Sequence, residues 1–164
     1  LKEQYEHNTI VDLLRNDLSQ VAKKVRLNRF RYLDNIRTSK GPIYQSSSEI
    51  QGLLPSNWKQ TSGEIIKKLL PAGSVSGAPK ISALEIIKEL EPVDRGPYCG
   101  GIGWIMGDKC ELAVGIRTFW RDFKNNQIYF GTGAGITWGS DPLKEWNETV
   151  LKANRLISIA GGQM

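Results

Sequence analysis

The sequence predicts an α/β chain in which antiparallel strands carry helices packed on a face. Two observations predict it: apolar residues recur at helical spacing near both ends and in the middle, and loosely alternating segments lie between them, divided by turn-forming residues. Residues 3–22 form the first helix. At about 100° per residue, Glu3, Glu6, Ile10, Leu13, Leu14, Asp17 and Val21 fall within an arc of about 100°. Residues 24–36 and 42–52 read as strands on either side of Ser39-Lys40-Gly41-Pro42. A helix around 58–70 stops at Pro71, and a small-residue loop then feeds a helix over 80–91, where Ile81, Leu84, Ile87 and Leu90 recur. Three strands follow, over 99–106, 110–119 and 127–133, with turn chemistry at Gly107-Asp108 and Asn125-Asn126. Asp141 caps the last helix with Pro142 at its first position, and the helix runs to about Ile159 before Gly161-Gly162.

Composition narrows the function classes. The chain has 164 residues, 40% hydrophobic and 24% charged, enough for one core and too few for two comfortable domains. The net charge is +5, but basic residues are interspersed with acids and no run reaches five, which argues against a nucleic-acid partner. No stretch of about 18 apolar residues is present, so a membrane span is not expected. Cys99 and Cys110, separated by ten residues, match neither a zinc spacing nor a disulfide framework and fit a reducing cytoplasm. The opening Leu1-Lys2-Glu3 reads as a chain entered midway through a helix.

Four features carry chemistry. Glu3 and Glu6 sit three apart in the first helix, and Glu145 and Glu148 do so in the last, where Lys152, Leu156 and Ile159 share their arc. Carboxylates offered one or two at a time, with waters and substrate oxygens, are how magnesium is held; such pairs also occur on ordinary exposed helices. The loop from Pro71 to Lys80 offers backbone N–H groups ahead of a helix, suited to a carboxylate or to plain connection. Its Gly73 and Gly77 do not meet the phosphate-loop pattern. Gly131-Thr-Gly-Ala-Gly-Ile136 follows a strand without a surrounding βαβ unit, so a dinucleotide site is discounted; close backbone approach to a ligand or simple turning explains the glycines. Arg117, read as a strand residue among Val114, Ile116 and Phe119, needs a carboxylate partner from the protein or from a ligand. His7, the single histidine, reads as structural, and Asp17 as an internal hydrogen-bonding residue.

Six motifs occur in order: Glu6-His-Asn-Thr-Ile-Val-Asp-Leu-Leu-Arg-Asn-Asp-Leu18, Pro71-Ala-Gly-Ser-Val-Ser-Gly-Ala-Pro-Lys80, Tyr98-Cys-Gly-Gly-Ile-Gly103, Gly115-Ile-Arg-Thr118, Gly133-Ala-Gly-Ile136, and Glu145 with Glu148, Lys152 and Ala153. Together they resemble the chorismate-binding enzymes, a family that includes aminodeoxychorismate synthase component I, anthranilate synthase component I, and the isochorismate and salicylate synthases. The resemblance covers essentially the whole chain. It implies that residues 1–164 are the carboxy-terminal part of one chorismate-binding domain whose amino-terminal half is absent. It implies magnesium ligands at Glu6 and Glu148, with Glu3 and Glu145 as supporting acids. Ser74 matches a hydroxyl near the substrate's ring carboxylate. Tyr98, Arg117 and the backbone of Gly133 and Gly135 match the grip on the enolpyruvyl carboxylate, and Lys152 a basic residue close by.

The Tyr98 and Gly115-Ile-Arg-Thr118 motifs resemble the aminodeoxychorismate branch more than the anthranilate branch. That implies amination of chorismate to 4-amino-4-deoxychorismate on the folate route, with ammonia from a glutaminase partner. Gln45-Ser-Ser-Ser48 departs from relatives that carry histidine at the first of these positions, which puts an aromatising lyase step in doubt. The family's lysine nucleophile and general-acid glutamate lie upstream, so no catalytic residue of that kind is expected here, and the chain alone is expected to be inactive. Anthranilate synthase component I is the close alternative, and a non-catalytic chorismate or carboxylate binder the more distant one. A half-domain would expose apolar surface, from which self-association or extensive packing against another chain is expected.

Overall fold

The computed structural model of the chain describes residues 2–161, with residues 2 and 3 described in backbone alone. The chain forms two compact units, Leu1–Leu84 and Glu85–Met164. Among the described residues every strand pairing is antiparallel, within three two-stranded hairpins, so the predicted α/β class with antiparallel strands is what the chain adopts.

In the first unit, α1 (Lys2–Ser19) precedes the long hairpin of β1 (Lys23–Thr38) and β2 (Gly41–Leu53). Only Ser39 and Lys40 separate the strands, and Gly41 (φ +112°) takes a conformation that side chains disfavour. The register slips between Arg29 and Tyr32. There Arg31 adopts a positive φ, and its N–H turns to the Ser48 hydroxyl at 3.0 Å. Helix α1 packs on this hairpin. The buried face follows the predicted arc only in part: Asp17 within it and Val11 outside it are buried, whereas Ile10 is 40% exposed. Helix α2 (Ser62–Leu69) starts later than the expected residue 58, because residues 56–61 form turns instead. The small-residue loop contains a single helical turn, α3 (Gly73–Ser76), before α4 (Lys80–Leu90).

The second unit holds β3 (Gly101–Met106) with β4 (Lys109–Val114), then β5 (Phe119–Asp122) with β6 (Gln127–Phe130), and last α5 (Pro142–Ile159). Gly107 and Asn126, both at positive φ, make the turns of these two hairpins as their residue types lead one to expect. The predicted strand over 110–119 is two strands, however. Gly115 breaks it, its N–H bonded to the Gly100 carbonyl at 2.7 Å and its carbonyl accepting the Cys99 N–H at 2.9 Å. A Cβ at Gly115 would come within 2.7 Å of the Pro97 carbonyl, so only glycine fits this crossing. Arg117 therefore lies outside any strand, at φ 55°, and Ile116 and Phe119 beside it are exposed rather than core.

Pairing in β3–β4 puts Ile102, Trp104 and Met106 on one face and Ile105, Cys110, Leu112 and Val114 on the other. Lys109 and Glu111 share the first face, so that face is mixed, whereas the second is apolar. Helix α5 begins as predicted: Asp141 accepts the Lys144 N–H at 2.9 Å and Pro142 occupies the first turn. At its end Gly161 (φ +77°) takes a left-handed conformation after Ala160, while Gly162 lies outside the described residues.

Replacing Asp141 by alanine removes this cap, and should lower the unfolding free energy by about 1 kcal/mol in urea titrations. Asp141→Ser should keep most of the stability, since its hydroxyl reaches the same donor.

Candidate functional site

In the first unit the site residues stand on α1 and α3. Glu6 is half-buried on α1, one residue before His7. His7 Nε2 lies 2.7 Å from the Ser48 hydroxyl, and its ring meets Phe30 edge-on at 6.0 Å. These contacts give the histidine a structural role between helix and hairpin. Glu3 lies outside the residues whose side chains are described. Asp17 is buried and bonded internally: its Oδ2 accepts the Gly73 N–H at 3.1 Å and faces Lys80 Nζ at 2.9 Å. Ser74 is exposed in the α3 turn, directly after Gly73. Gln45, the residue that departs from the histidine pattern, stands exposed on β2 opposite Asp34.

In the second unit α5, the glycine segment after β6 and the Tyr98 turn come together. Lys152 Nζ pairs with Glu148 Oε1 at 2.5 Å, one helical turn away, and donates to the Gly133 carbonyl at 3.3 Å. The Lys152 carbonyl in turn accepts Arg117 Nη1 at 3.1 Å. Thr132 Oγ1 also reaches α5, at the Thr149 carbonyl, 3.4 Å away. Glu145 is buried, 4% exposed, and accepts the Ser140 hydroxyl at 2.8 Å. A Cβ at Gly131 would overlap the Tyr98 ring, and one at Gly133 would lie 3.1 Å from the Tyr98 hydroxyl. Glycine at these two places thus admits the tyrosine. Gly135 is exposed and has open space where a Cβ would lie. Arg117, Tyr98, Gly133, Glu148 and Lys152 are thereby gathered in this unit. Arg117 sits exposed in a bend and bonds a backbone carbonyl of the chain, which leaves a ligand as the other expected source of its carboxylate.

The sequence reading missed the support behind Tyr98. Glu91 holds Arg95 through two bonds, 2.8 and 2.6 Å, and the Arg95 guanidinium lies 5.9 Å from the Tyr98 ring centre. Both residues lie beyond Leu90, the last residue of α4, so helical spacing did not signal the pair. The bonded Arg95 holds the Glu91 carboxyl below its usual range. Burial pushes the Tyr98 phenol up to about 12, with the neighbouring Cys99 thiol acting in the same direction, so Tyr98 is a neutral donor at physiological pH. Burial pushes the Cys99 thiol up as well.

Each unit offers a carboxylate of the kind a hard cation accepts. Glu148 is partly exposed, with 45% of its side chain open, and its carboxylate is paired with the Lys152 ammonium. Glu6 offers a second, half-buried carboxylate in its own unit. Among the described residues neither unit gathers three acid, histidine or cysteine side chains into a cage. Magnesium characteristically needs one or two carboxylates, keeping waters and substrate oxygens for the rest. No helix of the described residues is long and apolar enough to cross a membrane.

Comparison with known proteins bears on the whole chain. The profile of the family described as chorismate binding enzyme matches residues 1–158. An uncharacterized PabA-like protein of Haemophilus influenzae is 47% identical over 151 residues, which is 92% of this chain and 45% of that protein. Anthranilate synthase component 1 of Neisseria meningitidis is 38% identical over 161 residues, 97% of this chain and 31% of that protein. A Bacillus anthracis crystal structure, titled as a 2,3-dihydroxybenzoate-specific isochorismate synthase, superposes with a TM-score of 0.75 at 26% identity. It covers 99% of this chain and 42% of that one. The chain spans less than half the length of these relatives.

The unfolded Tyr98 phenol ionises near pH 10 and the folded one only near about 12, so its contribution is fully present below pH 10 and is lost between the two. The stability difference between wild type and Tyr98→Phe should be flat below about pH 10 and then move against wild type as pH rises toward about 12, in urea titrations.

Proposed function

The chain belongs to the chorismate-binding enzymes, and from that membership we propose that it is the carboxy-terminal part of an aminodeoxychorismate synthase component I. The parent converts chorismate and ammonia to 4-amino-4-deoxychorismate in the cytoplasm, with a glutaminase subunit or domain as the ammonia source. The observation that carries the reading is the cluster in the second unit. There a neutral phenol and an ammonium meet at the backbone of Gly133, and an exposed guanidinium is bonded to the backbone carbonyl of the same lysine. That is the chemistry of a carboxylate grip: Arg117 supplies a planar fork, and Tyr98 adds a hydroxyl that keeps its proton.

In this reading Arg117, Tyr98 and the Gly133–Gly135 backbone orient the enolpyruvyl carboxylate, Ser74 meets the ring carboxylate, and Lys152 balances charge beside Glu148. Glu6 and Glu148 are the magnesium ligands, with Glu3 and Glu145 behind them. Magnesium, when bound, supplies positive charge at the ring carboxylate and the departing C4 hydroxyl. Glu145 suits a supporting role, because its burial and the Ser140 hydroxyl fix it to one position. The nucleophilic lysine and the general acid belong to the remainder of the parent. The apolar face of β3–β4, on which Ile105 and Leu112 are exposed, fits a chain that packs against further polypeptide, a second copy included.

The aminodeoxychorismate branch is supported by higher identity to the PabA-like relative than to the anthranilate synthase, and by Gln45 in the histidine position. Anthranilate synthase component I is the second reading, favoured by the extent of that second match. Full-length protein given chorismate, magnesium and ammonium should yield 4-amino-4-deoxychorismate by chromatography. Anthranilate as the product would select the second reading, and no consumption of chorismate would reject both.

Glu148→Gln in the full-length protein should lower magnesium-dependent turnover by about a hundredfold or more, the scale of several kcal/mol of lost charge stabilisation. Its circular dichroism and melting should stay near wild type, since Glu148 is partly exposed. Full turnover at saturating magnesium would remove Glu148 from the metal site. Residues 1–164 alone, purified free of host enzyme, should form no product.

A further inference from the structure

The turn that carries Ser74 is tied down by a single ionic contact with several branches. Asp17 lies near the carboxy-terminal end of α1 and is 5% exposed. Its Oδ2 accepts the Gly73 N–H at 3.1 Å and stands 2.9 Å from Lys80 Nζ. Lys80 Nζ also donates to the carbonyl of Lys68 at 3.1 Å, in the last turn of α2. One carboxylate and one ammonium thus join α1, α2, the α3 turn and the first residue of α4.

Packing leaves the turn little freedom at that point. A Cβ at Gly73 would lie 3.2 Å from Asp17 Oδ2 and 3.2 Å from Leu13 Cβ, so the backbone is pressed onto α1 where the carboxylate receives it. Ser76 closes the other side, its N–H and its hydroxyl both bonded to the Ala72 carbonyl at 3.1 and 3.0 Å. A buried ion pair is seldom a better stabiliser than apolar packing of the same volume. What this one supplies is direction: the carboxylate fixes one backbone N–H, and the next residue is Ser74.

We propose that the Asp17–Lys80 pair is a clasp that positions the Gly73–Ser76 turn, and with it the Ser74 hydroxyl, for a carboxylate-bearing substrate. Asp17 and Lys80 are positioning residues in this arrangement and touch no substrate themselves. The substrate's identity rests on the chorismate reading above. The ordering of the turn does not.

The test uses full-length protein with Asp17→Asn, Lys80→Met and Lys80→Arg. Loss of the clasp should speed amide hydrogen exchange over Gly73–Gly77 by about tenfold or more in Asp17→Asn and Lys80→Met, with α5 unchanged. Both variants should raise the chorismate KM by about tenfold with kcat within about threefold of wild type, the pattern of lost uniform binding. Lys80→Arg, which keeps the charge, should recover most of the wild-type KM. Unchanged exchange over Gly73–Gly77 would overturn the clasp. Lowered melting temperature with unchanged KM, or equal behaviour of Lys80→Arg and Lys80→Met, would overturn its positioning role. If Asp17→Asn does not fold, the two Lys80 variants decide. A wild type that leaves chorismate untouched overturns the proposed function, and exchange alone then decides the clasp.

Discussion

The close approach of Tyr98 to the glycine segment after β6 is the contact on which the second unit's site depends. No side chain fits at Gly131, because the aromatic ring lies where it would be. That contact brings the phenol hydroxyl beside Gly133, whose carbonyl receives Lys152 from α5. Lys152 then reaches in two directions, through its ammonium to Glu148 and through its own carbonyl to Arg117. An exposed arginine and a helix carboxylate are thereby referred to one short stretch of backbone. The order of dependence runs from a packing constraint to an electrostatic arrangement, which is why the glycines matter as much as the charges.

The two units use the same device with opposite polarity. In the first, a buried carboxylate receives a backbone N–H next to Ser74. In the second, an ammonium gives a hydrogen bond to a backbone carbonyl within the glycine segment. Each glycine-rich stretch is held at a peptide group, where side-chain substitution cannot alter the donor or acceptor. Such anchoring suits a family whose members recognise a substrate rich in carboxylates.

Much of the fold was legible because turns and caps are local. Gly107, Asn126 and the Asp141-Pro142 pair act through their own conformational preferences, and the structure uses them as their chemistry suggests. Arg117 was misplaced because apolar residues continue past Val114, and alternation alone extends the strand. The contrary sign was Gly115, a glycine within a strand pattern, which marks a close backbone crossing here. The candidate site was legible only as a set of residue types. That Lys152 faces Gly133, or that Lys80 faces Asp17, depends on tertiary contacts across 19 and 63 positions. No periodicity in the sequence encodes those pairings. Helix α1 shows the same limit, since packing on the hairpin chose Val11 over Ile10 for burial.

The two thiols have been given different chemical fates by the backbone around them. Cys99 is buried beside Tyr98 in a left-handed conformation, and its thiol holds its proton more firmly than a free cysteine does. Cys110 lies exposed on β4, near the turn of the hairpin and on its apolar face. An alkylating reagent therefore meets one addressable sulfur and one shielded one. A spectroscopic reporter attached at Cys110 would sit on the β3–β4 surface, without a cysteine having to be added or removed to place it there.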